Sequence, residues 1–236
     1  MYVKNIEAGE THDSFDWEKY FSRKHQDEII KQMDYKQIVL KLRGYLKENK
    51  FKMAFTLGRM LRILLKDLNI NKNPSILELG AATGFLTRWL LTQYGGTGVL
   101  VDKSKTSYRE YTLIKDSVKK YITYLNEDLF TLALDEHFDL ICSFGLIEHF
   151  LDKERVLSVH KKFAACDGII IILVPLNSFL TKAFLEVHPE LNLGYRELLT
   201  EKELKDLLIE NGMKVLKTQV SSGYVYDFLG AVCSLL

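Results

Sequence analysis

The stretch Ile76-Leu77-Glu78-Leu79-Gly80-Ala81-Ala82-Thr83-Gly84-Phe85-Leu86-Thr87 decides how this chain is read, because it is a strand that runs straight into a glycine-bearing turn and then a helix. Gly80 and Gly84 permit positive φ and a close approach of backbone to a ligand, and the helix that follows offers N–H groups with no intrahelical partner. Glu78 falls at the carboxyl end of the strand, the edge at which open α/β sheets bind ligands. A carboxylate there disfavours a pyrophosphate, since two negative groups would share one helix terminus, and favours a ligand that carries an ammonium or a sulfonium. The dinucleotide fingerprint Gly-x-Gly-x-x-Gly is absent, the spacing being Gly80, Ala82, Gly84.

Outward from this turn, short β-rich runs alternate with helix-length segments. Strands are expected at Ser75–Leu79, Gly98–Asp102, Tyr121–Asn126, Phe138–Phe144 and Gly168–Pro175, with helices at Phe85–Tyr94, Ser107–Lys119 and Lys153–Phe163. Such alternation predicts an α/β fold with a mostly parallel sheet. The run Gly168-Ile-Ile-Ile-Ile-Leu-Val-Pro175 is apolar almost throughout, as an interior strand covered on both faces requires. A capping-box pattern, Thr200 with Glu203, opens a later helix that Asn211-Gly212 ends, and two β-like runs, Met213–Val220 and Tyr224–Leu235, follow.

Two segments stand apart. Residues 1–72 are polar and helical in pattern and are expected to form an N-terminal cap on a domain spanning 73–236. Within the cap, Phe51, Phe55, Leu61, Leu64, Leu65 and Leu68 form an apolar stripe suited to packing, and the early aromatics, Trp17 and Tyr20 among them, are candidates to cover a substrate. The segment 176–199 is 24 residues with little regular pattern, long for a connection, and is expected to be a substrate lid or a partly helical insert. Its polar residues include Asn177, His188, Tyr195, Arg196 and Glu197; Asn177, Tyr195 and Arg196 are the substrate candidates.

Composition excludes several classes. Among 236 residues, 32 basic and 31 acidic side chains give a formal charge of +1, so no overall basic field draws the protein to nucleic acid or anionic lipid. Cys142, Cys166 and Cys233 form no Cys-x-x-Cys pair, which argues against zinc and against a disulfide framework. The longest apolar run, Ile169–Leu176, is far shorter than the roughly 20 residues of a membrane helix, and the first ten residues lack an apolar signal core. A soluble cytoplasmic protein is expected.

Glu78-x-Gly80-x-Ala82-x-Gly84 resembles the first motif of class I S-adenosylmethionine-dependent methyltransferases, with alanine at the usual second glycine. The order of motifs extends the resemblance over residues 74–220. It implies a Rossmann-like sheet of seven strands, the last antiparallel, and S-adenosylmethionine as methyl donor with S-adenosylhomocysteine as product. Asp102, 22 residues past Gly80 at the next strand end, suits the two ribose hydroxyls. By the same resemblance Asp128, followed by Leu129, falls where the family sets an aspartate against the adenine amine, and Phe144 and Gly145 fall beside the methionine moiety.

Glu148-His149 matches a Glu-His pair found after the fourth strand in many small-molecule methyltransferases, including those resembling ubiquinone-biosynthesis O-methyltransferases. There a glutamate three residues earlier completes a divalent metal site; here that position is Gly145, so no metal is expected. His149 is a candidate general base, with Glu148 beside it. Exocyclic-amine methyltransferases of nucleic acids carry an Asp/Asn-Pro-Pro-aromatic run where this chain has Ser143-Phe144-Gly145-Leu146, which makes nucleic acid an unlikely acceptor. The expected acceptor is a small molecule, methylated on O or N by direct displacement. A protein or peptide acceptor, and a non-catalytic donor-binding module, are the rival readings; pairing of two copies through the N-terminal helices is a further expectation.

Overall fold

A computed structural model describes residue 18 and residues 49–115, 117–188, 193–222 and 227–236 of the chain. The elements are α1 (Asn49–Leu65), β1 (Ser75–Leu79), α2 (Phe85–Tyr94), β2 (Thr97–Val101), α3 (Lys105–Leu113), β3 (Ile122–Leu125), β4 (Phe138–Phe144), α4 (Lys153–Phe163), β5 (Ala164–Pro175), α5 (Phe179–Val187), α6 (Glu201–Glu210), β6 (Met213–Ser221) and β7 (Phe228–Leu235). Short 3₁₀ turns lie at Ser117–Tyr121 and Ile147–His149.

The strands form one sheet in the order β3-β2-β1-β4-β5-β7-β6. Its first five strands in that order pair in parallel, while β7 runs antiparallel to both β5 and β6. This is the expected seven-stranded Rossmann-like architecture. The chain order reverses direction between β1 and β4, so the loops after these strands part there and leave a crevice at the carboxyl edge.

Alternation along each strand feeds two cores. Leu77, Leu79, Ile141, Ile170, Ile172 and Val174 face α4 and α6, where Val156, Leu157, Phe163, Leu204 and Leu208 are buried. Ile76, Leu140, Cys142, Ile171 and Leu173 face α1 and α2, against Met60, Leu61, Leu64, Leu86 and Leu90. Each large aliphatic side chain fully removed from water contributes about 1.5–3 kcal/mol, so a strand apolar on both sides, such as β5, is held from both. The apolar stripe of α1 is buried from Leu57 onward, but Phe55 is 61% exposed and departs from it.

Several boundaries move for identifiable reasons. β5 begins at Ala164 rather than Gly168, because Ala164 pairs with Phe138 before a register shift. The helix expected at Ser107–Lys119 starts at Lys105 and ends at Leu113. Ser104 caps it, its hydroxyl accepting the Ser107 N–H at 3.1 Å, and Glu18 accepts the N–H groups of Lys105 and Thr106 at the same terminus. The expected irregular segment 176–199 contains α5, capped by Ser178. The segment leaves and rejoins the sheet rim at one point, where the Asn177 N–H donates to the Leu199 carbonyl at 2.9 Å. Trp17 and Tyr20 lie outside the described residues, as does most of the expected cap.

Candidate active site

The carboxyl edge of β1, β2 and β3 borders a cleft of about 430 Å³, open to solvent on one side and lined by Gly80, Val101, Asp102, Lys103, Glu127, Asp128, Leu129, Phe130, Leu146 and Phe150. Gly80, Asp102, Asp128 and Leu129, four of the donor-site candidates, line it together. Lys103, Phe130, Leu146 and Phe150 join them without having been singled out in the sequence.

The turn is built to bring backbone to the cleft. Gly80 and Gly84 have φ of 62° and 71°. A Cβ on Gly80 would come within 2.6 Å of the Leu146 side chain, and one on Gly84 within 2.4 Å of Leu100, so a side chain at either position would have to displace a leucine besides being strained by its backbone conformation. Ala82 also adopts a left-handed conformation, φ 47°. That costs an L-residue about 1–2 kcal/mol, and hydrogen bonds hold it on both sides. Its N–H donates to Asp102 Oδ2 at 2.8 Å, and its carbonyl accepts the Tyr124 hydroxyl at 2.9 Å.

Asp102 uses each carboxylate oxygen once on backbone, Oδ2 on Ala82 and Oδ1 on the Ser104 N–H at 2.8 Å. A carboxylate oxygen can accept twice, so the side chain is oriented while keeping capacity for two ligand hydroxyls. Burial pushes its carboxyl up to about 6, against the two N–H donors. Asp128 accepts the Phe130 N–H at 2.9 Å and lies 3.6 Å from the Lys103 ammonium. Phe130 meets Phe150 edge to face at 5.6 Å and carries the Arg155 guanidinium 4.0 Å from its ring, giving the cleft a rigid apolar wall.

Glu78 is placed differently from the simplest expectation of a side chain reaching into the crevice. It is buried and turned to the start of α2, where Oε2 accepts the Thr87 N–H at 2.8 Å and Oε1 the Leu86 N–H at 3.4 Å. The side chain thereby fixes the helix whose terminus borders the turn. Burial pushes its carboxyl up to about 7 despite these donors.

Beyond β4, Gly145 turns the chain with φ 66°, its N–H donating to Leu173. Phe144 packs between Phe85 and Phe228, at centroid distances of 6.5 and 5.5 Å. The following turn buries both Glu148 and His149. His149 Nδ1 donates to the Tyr195 carbonyl at 2.9 Å, which leaves the lone pair on Nε2, 3.8 Å from Glu148 Oε1. Burial, with the Arg196 charge nearby, holds the imidazole well below its usual range. Burial pushes Glu148 up to about 7, and its Oε2 has no hydrogen-bond partner among the described residues.

The end of the 176–199 segment is locked onto this turn. The Glu197 N–H donates to the Glu148 carbonyl at 2.8 Å, and Lys153 reaches Glu197 at 2.5 Å and the Phe150 carbonyl at 3.0 Å. Tyr195 donates its hydroxyl to Glu197. Tyr195 and Arg196 are therefore buried beside Glu148 and His149, whereas Asn177 donates through its side chain to the Leu198 carbonyl at 3.4 Å, back within the segment. No group of three or more His, Cys, Asp or Glu side chains among the described residues is placed to hold a metal ion, and no described helix is long and apolar enough to cross a membrane.

A strand, an acidic residue and a left-handed turn at the sheet's reversal point, with a second carboxylate at the next strand end, define the class: this is a class I S-adenosylmethionine-dependent methyltransferase domain. The chain belongs to the methyltransferase domain family, whose match covers residues 34–218. It is 26% identical over 116 residues to (S)-coclaurine N-methyltransferase of Thalictrum flavum subsp. glaucum, a match spanning 48% of this chain and 32% of that protein, about a third of its length. Its fold is shared with magnesium protoporphyrin IX methyltransferase from Synechocystis PCC 6803 with bound S-adenosylhomocysteine, at TM-score 0.64 and 17% identity, covering 92% of this chain and 94% of that one. A glycopeptide N-methyltransferase bound to S-adenosylmethionine aligns at TM-score 0.60 and 14% identity, over 79% and 96% of the two chains.

Proposed function

We propose that this chain transfers the methyl group of S-adenosylmethionine to a small-molecule acceptor, on O or N, by direct displacement. The observation that carries the reading is the cleft beside Gly80, where Asp102 is held in place by two backbone N–H groups while each oxygen keeps a lone pair for a ribose hydroxyl. Asp128 and Leu129 would take the adenine end, against the apolar surface of Phe130 and Phe150. The glycine turn and Glu78-anchored α2 would receive the methionine end, with Phe144 and Gly145 alongside.

The donor supplies a methyl group already activated by its sulfonium. What remains for the protein is to hold the acceptor in line and keep water out, and orientation of this kind contributes up to about 7–11 kcal/mol. His149 Nε2 and Glu148 Oε2 are the two groups that would take the acceptor's proton, with Arg196 and Tyr195 completing that wall. The acceptor class is supported by the Glu-His pair, by the lack of a basic field, and by the coclaurine and protoporphyrin relatives. The glycopeptide relative keeps a peptide acceptor as the second reading.

Calorimetric titration with S-adenosylmethionine, S-adenosylhomocysteine and NAD tests the donor, with micromolar binding of the first two alone as the expected result. Incubation of the protein with labelled donor and a size-fractionated cell extract tests the acceptor. Label in the low-mass fraction is expected; label confined to the macromolecular fraction would replace the small-molecule reading with the peptide one.

A further inference from the structure

The left-handed position of the turn carries alanine, and the peptide there is gripped from two strands at once. Asp102, after β2, takes the Ala82 N–H at 2.8 Å. Tyr124, on β3, gives its hydroxyl to the Ala82 carbonyl at 2.9 Å. The phenol is itself immobilised, its ring 5.1 Å from that of Tyr108 and 4.9 Å from that of Tyr111, both on α3. The start of α3 is in turn fixed through Ser104, whose N–H donates to Asp102 Oδ1. Tyr124 does not line the cleft, and nothing so far assigned to donor or acceptor uses its hydroxyl.

We propose that Tyr124 is a positioning residue for the methyl donor, its hydroxyl clamping the Ala82 peptide, together with Asp102, in the left-handed conformation that the donor turn requires. An alanine released from these hydrogen bonds relaxes toward right-handed or extended backbone, carrying the Ala82–Gly84 turn away from the cleft. A glycine has no such preference, so the clamp matters because this chain has a side chain at position 82. Burial and the neighbouring carboxylates of Asp102 and Glu78 raise the phenol's pKa well above its usual value, so it is a hydrogen-bond donor throughout the working range.

The inference rests on the donor reading and is tested beside it by titrating S-adenosylmethionine into the wild-type protein, Tyr124→Phe, Ala82→Gly and the double variant, with melting temperatures of each ligand-free protein. Tyr124→Phe keeps the ring stack and removes only the hydroxyl. It is expected to weaken donor binding about 5–10-fold, the worth of one neutral hydrogen bond, and to raise donor KM more than it lowers kcat. In the Ala82→Gly background the same change is expected to cost less than about twofold. A Tyr124→Phe affinity within about twofold of wild type, or an equal loss in both backgrounds, overturns the inference alone. Absence of donor binding by the wild-type protein overturns the donor reading and this inference with it. A merely structural role would lower the ligand-free melting temperature equally in both backgrounds without coupling in affinity.

Discussion

His149 and Tyr195, 46 residues apart in the chain, are joined by a 2.9 Å hydrogen bond from the imidazole Nδ1 to the Tyr195 carbonyl. This contact selects the tautomer with its lone pair on Nε2, the nitrogen on the side of Glu148. His149→Ala is therefore expected to lower turnover by about 10²–10⁴ with donor affinity little altered. Steady-state rates and donor titration of the same preparation check it; wild-type turnover would remove His149 from the chemistry.

The pH dependence separates the two neighbours. His149, held neutral by burial and Arg196, changes charge only well below its ordinary range, whereas Glu148 ionises at about 7. If Glu148 takes the acceptor's proton, the rate rises as pH passes through about 7, because the carboxylate is the competent form. The inflection is expected to vanish in Glu148→Gln and to persist in any residual activity of His149→Ala.

Asp102→Asn is expected to weaken S-adenosylmethionine binding about 10–100-fold, since charge-assisted hydrogen bonds contribute roughly 1.5–3 kcal/mol. Full donor affinity in that variant would contradict the ribose assignment.

Stability carries its own signature. Glu78 has its folded pKa raised to about 7, so the folded form binds the proton more tightly than the unfolded chain does. The contribution is present at low pH and is lost as pH rises from the unfolded range through about 7. His149 and His160, both depressed, act in the opposite sense, losing stability as pH falls. Comparison of Glu78→Gln with wild type isolates the first effect. In urea denaturation the variant is expected to gain relative to wild type from pH 5 to pH 8, and a constant difference would refute the assignment.

A buried pair offers a test away from the cleft. His160 donates through Nδ1 to the Val156 carbonyl and accepts the Ser143 hydroxyl at Nε2, both at 2.9 Å, fully removed from solvent. Ser143→Ala leaves that nitrogen without its donor and is expected to cost about 1–3 kcal/mol of stability, measured by chemical denaturation.

The sheet and the glycine turn were legible because they are local. Gly80, Gly84 and the acidic residues at two strand ends sit within one strand-turn-helix unit and the strand after it, and the apolar run at β5 announces its interior place. Glu78's actual partner was also within nine residues, yet its direction depends on burial beside α2, which composition does not reveal. The clamp from Tyr124, the Phe130–Phe150 wall and the Lys153–Glu197 pair bring together positions from different elements, and no periodicity in the chain encodes such meetings. Helix α5 had a usable sign in Ser178, a capping serine before an apolar-rich run, obscured by the irregular residues that follow it.

The segment 176–199 is fastened at both ends, at Leu176–Leu199 on the rim and through Glu197 to the turn after β4. A loop whose two feet are pinned can lengthen, shorten or change its side chains at an entropic cost that grows only with the logarithm of its length. It is a cassette in a fixed socket: if it covers the acceptor as proposed, acceptor choice can be rewritten there while the sheet and the cleft beside Gly80 stay as they are.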